Sequence, residues 1–288
     1  FRRELGHTAS APALAAAPPA PVRAGSVVEK HYETILDEAT LDAWIARLQA
    51  AELAALDTET DALDGMRAQI VGISFAVAVG HAAYVPLRHT YPGAPDQLPA
   101  ELVLERLKPW LEDETCAKVG QNIKYDTHVL QSAGIEVRGY RHDTMLESYI
   151  LEAHKAHGLE SLADRHLGRK GLGYEDVCGK GAHQIPFAQV ALDRAAEYSN
   201  EDSDMALHVH EALWAQLQAE PRLRAVYEDI EMPTSAVLAR IERNGVLIDA
   251  ARLAAQSQQL AERMLALERE AYEIAGQPFN LGSTKQIG

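Results

Sequence analysis

Cysteine is nearly missing from this 288-residue chain: Cys116 and Cys178 stand far apart and outside any Cys-x-x-Cys pattern. That excludes a disulfide framework and a cysteine-built zinc site, and it fits a reducing compartment. Long apolar runs are missing too. No stretch of about 18 apolar residues occurs, so no membrane-spanning helix is expected. Pro12, Pro18, Pro19 and Pro21 break up the one Ala-rich segment that could imitate a signal peptide. Basic residues are scarce, with 27 Lys and Arg against 42 Asp and Glu and a net charge of −15. Phosphate binding ordinarily rests on Lys and Arg releasing counterions, so the overall charge opposes a polynucleotide ligand. Such a ligand has to be held by local basic and aromatic contacts, or by metal ions set between clustered carboxylates.

What is present suits a globular protein: 47% of the residues are hydrophobic, and the length allows one large domain or one domain plus part of another. Residues 1–28 are Ala/Pro-rich and aperiodic and read as a linker. The chain starts at Phe1 rather than Met, which leads us to expect a piece of something longer. Order is expected from Tyr32. Leu41, Trp44, Ile45 and Leu48 mark one face of a helix capped by Asp37 or Thr40. Leu53–Asp57 reads as a short strand, and residues 69–77 and 82–87 as a hairpin about Gly80. Residues 118–120 read as a strand running into a helix over 125–133, with Gly134 at its C-cap. Helices are expected over 143–151, 159–167 and 187–217, which makes a mixed α/β layer architecture.

A boundary is expected at Glu220-Pro221. Beyond it, a helix runs to Arg243 and stops at Asn244-Gly245. Asp249 then caps another helix whose Leu260, Met264, Leu267, Ala271 and Ile274 form a stripe, read as a packing face rather than a coiled coil.

Carboxylates carry the sharpest local signals. Asp57 and Glu59 in Asp57-Thr58-Glu59-Thr60-Asp61 share one face of a strand. Two acids at the end of a buried strand repel each other unless a cation sits between them, and a hard divalent metal takes oxygen ligands. A solvated acidic turn is the plainer alternative. Asp126, at a strand-to-helix junction, is a second candidate, with a first-turn acid favouring the helix dipole as its alternative. Tyr198 and Asp202 are i, i+4 neighbours on one helix face, whereas Glu201 and Asp204 point elsewhere. A surface acid is the alternative for Asp202. Together, four carboxylates and a phenol from three segments make the inventory for two-metal phosphodiester hydrolysis.

In this order and spacing, Asp57-x-Glu59, Asp126 and Tyr198-x-x-x-Asp202 resemble the three motifs of the Asp-Glu-Asp-Asp exonucleases that carry a tyrosine in the third motif. The strings Leu56-Asp57-Thr58-Glu59-Thr60-Asp61-Ala62-Leu63, Lys118-Val119-Gly120-Gln121-Asn122 and Asp143-Thr144-Met145-Leu146-Glu147-Ser148-Tyr149 resemble the proofreading domain of family A, Klenow-type DNA polymerases. The resemblance covers about residues 32–288.

It implies a ribonuclease-H-like mixed sheet flanked by helices over residues 29–220, and the α-helical start of a polymerase domain, the thumb base, over 221–288. Asp57, Glu59 and Asp202 would hold one metal, and Asp57 with Asp126 the second: Mg²⁺ or Mn²⁺, with Zn²⁺ able to replace them in vitro. Tyr198 with Glu59 would orient the attacking water. Leu63 would wedge against the 3′-terminal base, Tyr174 would stand near the single strand, and Gln121, Asn122 and Tyr125 would line the same groove, where stacking on aromatics would make binding sequence-tolerant. The implied partners are a single-stranded 3′ end, primer-template DNA and the rest of a polymerase chain. That chain would be monomeric at full length and would work in the bacterial cytoplasm at the nucleoid.

Ile241-Glu242-Arg243-Asn244-Gly245-Val246 and Phe279-Asn280-Leu281-Gly282-Ser283-Thr284-Lys285-Gln286 resemble the polymerase start, but the palm and finger motifs are absent from these residues, so no polymerisation is expected. A catalytically silent DNA-binding or bracing module is the alternative function, and the intact acids argue against it. An RNA-trimming exonuclease with the same motifs is another, and the thumb-like C-terminus argues against that.

Twelve histidines invite a metal reading. His208 and His210 face apart on a helix, and His154 and His157 sit at a helix end, so a zinc site is not expected from these pairs. Arg165, Arg169, Lys170 and Lys180 form a loosely basic stretch, read equally as DNA-backbone contacts or as a solvated face.

Overall fold

The computed structural model describes residues 29–287; the linker expected over residues 1–28 lies outside the described residues. Six strands form one sheet: β1 (His31–Thr34), β2 (Ala54–Thr60), β3 (Ile70–Ala78), β4 (His81–Pro86), β5 (Lys118–Gly120) and β6 (Tyr140–Asp143). Their order is β1-β4-β3-β2-β5-β6. β2, β3 and β4 pair antiparallel, while β1, β5 and β6 join in parallel. This is the mixed sheet flanked by helices that the resemblance implied. The hairpin turns at Gly80, whose φ of +83° is a left-handed value that glycine adopts without a Cβ clash.

The helices are α1 (Glu38–Ala50), α2 (Ala100–Leu111), α3 (Ile123–Ser132), α4 (Thr144–Glu152), α5 (Leu159–Leu167), α6 (Tyr174–Cys178), α7 (Leu192–Ala219), α8 (Pro221–Val226), α9 (Met232–Asn244), α10 (Ala250–Ala275) and α11 (Thr284–Ile287). Strand alternation sorts the sheet's side chains onto two faces. Leu56, Ile73, Phe75 and Val85 join a core with Leu41, Trp44 and Leu48 of α1, Leu107 and Trp110 of α2, and Val129 and Leu130 of α3. Ala55, Ala76 and Ala82 cluster instead with Leu207 of α7. Small residues on that face let a long helix lie close to the sheet, and Ser74 Oγ meets Ser203 Oγ at 2.5 Å across the contact.

Close approach also explains Gly72. A Cβ there would stand 2.1 Å from the Tyr84 hydroxyl. That hydroxyl is buried and 2.8 Å from His89 Nε2, so it has nowhere to go. Gly72→Ala is expected to cost about 3 kcal/mol through overpacking. Urea denaturation checks this, and a midpoint equal to wild type counts against it.

Some elements differ from the sequence expectation. β1 and β6 carry the polar strings His31-Tyr32-Glu33-Thr34 and Tyr140-Arg141-His142-Asp143, and their strand character comes from parallel pairing at the two sheet edges. α2 contains Pro109 in its interior, which masked it. α7 starts at Leu192 rather than near Phe187, because Phe187–Gln189 forms a separate 3₁₀ turn after Pro186.

The chain divides into two compact units, one ending at Arg243 and one beginning at Asn244. In the first, Tyr227 is fully buried and its hydroxyl accepts from the Asp143 backbone N–H at 2.9 Å. Glu242 of α9 pairs with Lys124 and His128 of α3. In the second, the Asp249 side chain caps α10 and Gly276 closes it at φ +70°. Leu260, Met264, Leu267 and Ile274 of α10 are exposed. Among the described residues, no helix is long and apolar enough to cross a membrane.

Candidate active site

β2 is central in the sheet, and its carboxyl end carries Asp57 and Glu59 on the face covered by α7. Ser199 of α7 donates its Oγ–H to Glu59 Oε1 at 2.8 Å. Thr58 alternates to the other face, where α3 lies. Its backbone N–H and its hydroxyl both donate to Asp126 Oδ1, at 3.1 and 2.6 Å. Strand, α3 and α7 thus bring Asp57, Glu59, Asp126, Tyr198 and Asp202 together where the two helical layers meet. Crevices beyond the carboxyl ends of strands are where open α/β sheets bind ligands.

The electrostatics follow from the crowding. Glu59 and Asp126 are buried; Asp57 and Asp202 keep partial exposure. Burial pushes Asp57 up to about 6. Glu59 is raised well above its ordinary value by burial and then by the charges of Asp57, Asp202 and Asp126, with the Ser199 hydrogen bond opposing. Burial and the Asp57 charge raise Asp126 and Asp202 as well. Burial, then Asp202 and Glu59, drive the Tyr198 phenol far up, so it keeps its proton. Like charges in a low-dielectric site need either protons or a cation. In its chemistry, an all-oxygen donor set of this kind suits hard divalent ions.

A family model described as 3′-5′ exonuclease, of the DNA polymerase A type, matches residues 32–218, which include all five of these side chains. The chain belongs to this 3′-5′ exonuclease family. A DNA polymerase I of Pseudomonas aeruginosa is 53% identical over 263 residues, covering 90% of this chain and 29% of that protein. One from Rhizobium leguminosarum is 43% identical over 280 residues, covering 89% and 27%. The chain therefore spans less than a third of the length of these curated relatives. Among solved structures, the polymerase domain of Pol1 from M. smegmatis, in complex with DNA primer-template and dNTP, aligns with a TM-score of 0.72 at 21% identity. That alignment covers 88% of this chain and 39% of the other, and it supports the ribonuclease-H-like fold.

Around the acids of this exonuclease domain, the remaining candidates are placed unequally. Tyr125 donates its hydroxyl to the Ala62 carbonyl at 2.6 Å and also meets the Thr60 hydroxyl, which ties α3 to the loop after β2. Gln121 is pinned between the His157 carbonyl and the Thr144 hydroxyl. Asn122 caps α3 at φ +61°, with its backbone N–H donating to Asp143. Tyr174 is partly exposed, its ring edge-on to Tyr198 at 6.5 Å. Leu63 is 99% exposed.

Sequence reasoning missed Thr58 and Ser199, the hydroxyls that anchor Asp126 and Glu59; their position beside the motif acids was the one available signal. Glu201 is used elsewhere, accepting from Lys30 and from the Leu172 backbone. Asp204 accepts from the Gly80 backbone and from Tyr32. The basic stretch is largely committed to internal pairs: Arg165 with Glu152, Arg169 with Asp204, and Lys180 with Glu175.

Proposed function

We propose that the domain hydrolyses DNA stepwise from the 3′ end by a two-metal mechanism, and that it proofreads for a DNA polymerase I of which this chain is one part. The observation that carries the reading is the convergence of Asp57, Glu59, Asp126 and Asp202, with Tyr198, at the carboxyl end of β2. Residues 29–220 form the exonuclease domain in this reading, and 221–288 open the polymerase domain. Its partners are a single-stranded 3′ end, primer-template DNA and the rest of the polymerase, in the bacterial cytoplasm.

Asp57, Glu59 and Asp202 would hold one divalent ion, Mg²⁺ or Mn²⁺, and Asp57 with Asp126 a second. Bound there, the ions would supply positive charge to the scissile phosphate and acidify a water. The hydrogen bonds from Thr58 fix the Asp126 carboxylate, and that from Ser199 fixes Glu59. Tyr198 stays protonated and so orients the attacking water as a donor rather than acting as a base. The water's oxygen bonds to phosphorus as the bond to the preceding 3′ oxygen breaks. That oxygen takes a proton and a nucleoside 5′-monophosphate leaves. Leu63, exposed beyond β2, would wedge at the terminal base, and Tyr174 would stack beside it, with Gln121, Asn122 and Tyr125 lining the groove.

The test uses 5′-labelled and 3′-labelled single-stranded DNA with Mg²⁺ or EDTA. Stepwise shortening from the 3′ end that EDTA abolishes is expected. Tyr198→Phe should slow it about 100-fold by misplacing the water, with metal-induced stabilisation intact. A folded wild type inert in both Mg²⁺ and Mn²⁺ overturns the reading and leaves a silent bracing module.

A further inference from the structure

We propose a second metal site, apart from the carboxylate cluster: His142 of β6, Glu147 of α4 and His210 of α7 form a coordination set for one divalent transition ion of the zinc type. Their ligand atoms all lie within 4.8 Å of one another. His210 Nδ1 stands 2.8 Å and His142 Nδ1 3.2 Å from the same oxygen, Glu147 Oε1. In a tetrahedral zinc site with bonds of about 2.0–2.1 Å, ligand atoms sit about 3.3 Å apart, so these spacings need little adjustment. His210 follows Asp202 by eight residues on the same helix, which separates the two sites by about 12 Å.

Hydrogen bonding within the triad is incomplete. Glu147 is fully buried, and neither its Oε2 nor His142 Nδ1 has a well-formed hydrogen bond, although His142 and the Tyr227 hydroxyl stand close enough to lower the proton affinity of Glu147. A buried carboxylate oxygen left without a partner is costly, and a cation relieves it. Two imidazoles with one carboxylate suit zinc better than Mg²⁺, which prefers oxygen alone.

Three protein ligands leave the fourth tetrahedral position to a water, and aromatic rings pack around the triad. The His142 ring centroid lies 4.4 Å from Trp214, and the His142 ring stacks on Tyr227 at 6.3 Å with an interplanar angle of 7°. The ion would staple the sheet's edge strand to α4 and α7. These three residues come from three separate elements, so no pairing along one helix reveals them.

The test titrates chelator-stripped protein with Co²⁺ and reads visible absorption. One equivalent should give the strong bands of a four-coordinate ion, displaced by Zn²⁺, whereas six-coordinate oxygen sites absorb weakly. The bands should persist in Asp202→Asn, which disables only the carboxylate cluster. They should be lost in His142→Phe, which keeps the ring packing against Trp214 and Tyr227 and whose folding is checked by circular dichroism, and in His210→Gln. Zn²⁺ should raise the melting temperature of wild type and Asp202→Asn but not of His142→Phe. Absence of the bands in wild type, or their survival in His142→Phe, overturns the proposal and leaves a hydrogen-bonded cluster only.

Discussion

Asp202→Asn will cut metal-dependent 3′ shortening roughly 10³-fold and at the same time make the metal-free protein more stable. Both effects come from one cause. Asp202 is raised by burial and by the Asp57 charge, and it in turn raises Glu59. Its ionised form therefore costs folding energy at neutral pH in the absence of a counter-charge. Asparagine keeps the shape and removes the charge, but it leaves a weaker ligand. A gain of about 1–2 kcal/mol corresponds to a melting shift of roughly 4 °C for a chain of this size. Rates on 5′-labelled DNA and melting curves in EDTA test the two halves separately. Loss of activity together with lost stability would mean that Asp202 holds the fold and not the chemistry.

The stability advantage of that variant in EDTA will grow as pH rises from about 4 to 8, and saturating Mg²⁺ or Mn²⁺ will reverse it. Near pH 4 the acids are protonated in the folded chain, so little penalty exists. Above the unfolded value of about 4, the unfolded chain releases protons that the folded chain still holds. Asp57 in wild type loses its own only near 6, and Glu59, Asp126 and Asp202 are raised too. The wild-type native state therefore loses stability with rising pH, and Asp202→Asn escapes part of that loss. The absolute curve mixes in His89, His142, His166, His208 and His210. Burial lowers all of these, and they stabilise the fold as pH rises. The difference between the two proteins isolates the acids. Metal binds only the folded wild-type site in strength, so it adds stability there. Urea midpoints at three pH values, with EDTA or Mg²⁺, give the answer; a pH-independent difference would sink the idea.

Local signals were readable where one segment decides its own structure. The Leu41, Trp44 and Leu48 stripe with its Asp37 cap became α1, and Gly80 turned the hairpin it was expected to turn. The shared face of Asp57 and Glu59 followed from strand period alone. β1 and β6 were not readable, because pairing with β4 and β5, and no pattern of their own, makes them strands. The tie from Thr58 to Asp126 joins residues 68 apart and has no local signature. A domain boundary was read at Glu220-Pro221, where α7 gives way to α8, whereas the burial of Tyr227 beyond it, fixed by the Asp143 backbone N–H, has no signature in the sequence around it.

α7 contacts strands β1 to β5 together with α4, α5 and α6. It also follows all six strands in the chain. During synthesis the hairpin of β3 and β4 therefore leaves the ribosome about a hundred residues before its cover, a delay of roughly 5–20 s at ordinary elongation rates. For that interval the alanine-lined face of the sheet is bare, and the domain's exposure to misassembly is set by translation timing between residues 87 and 191.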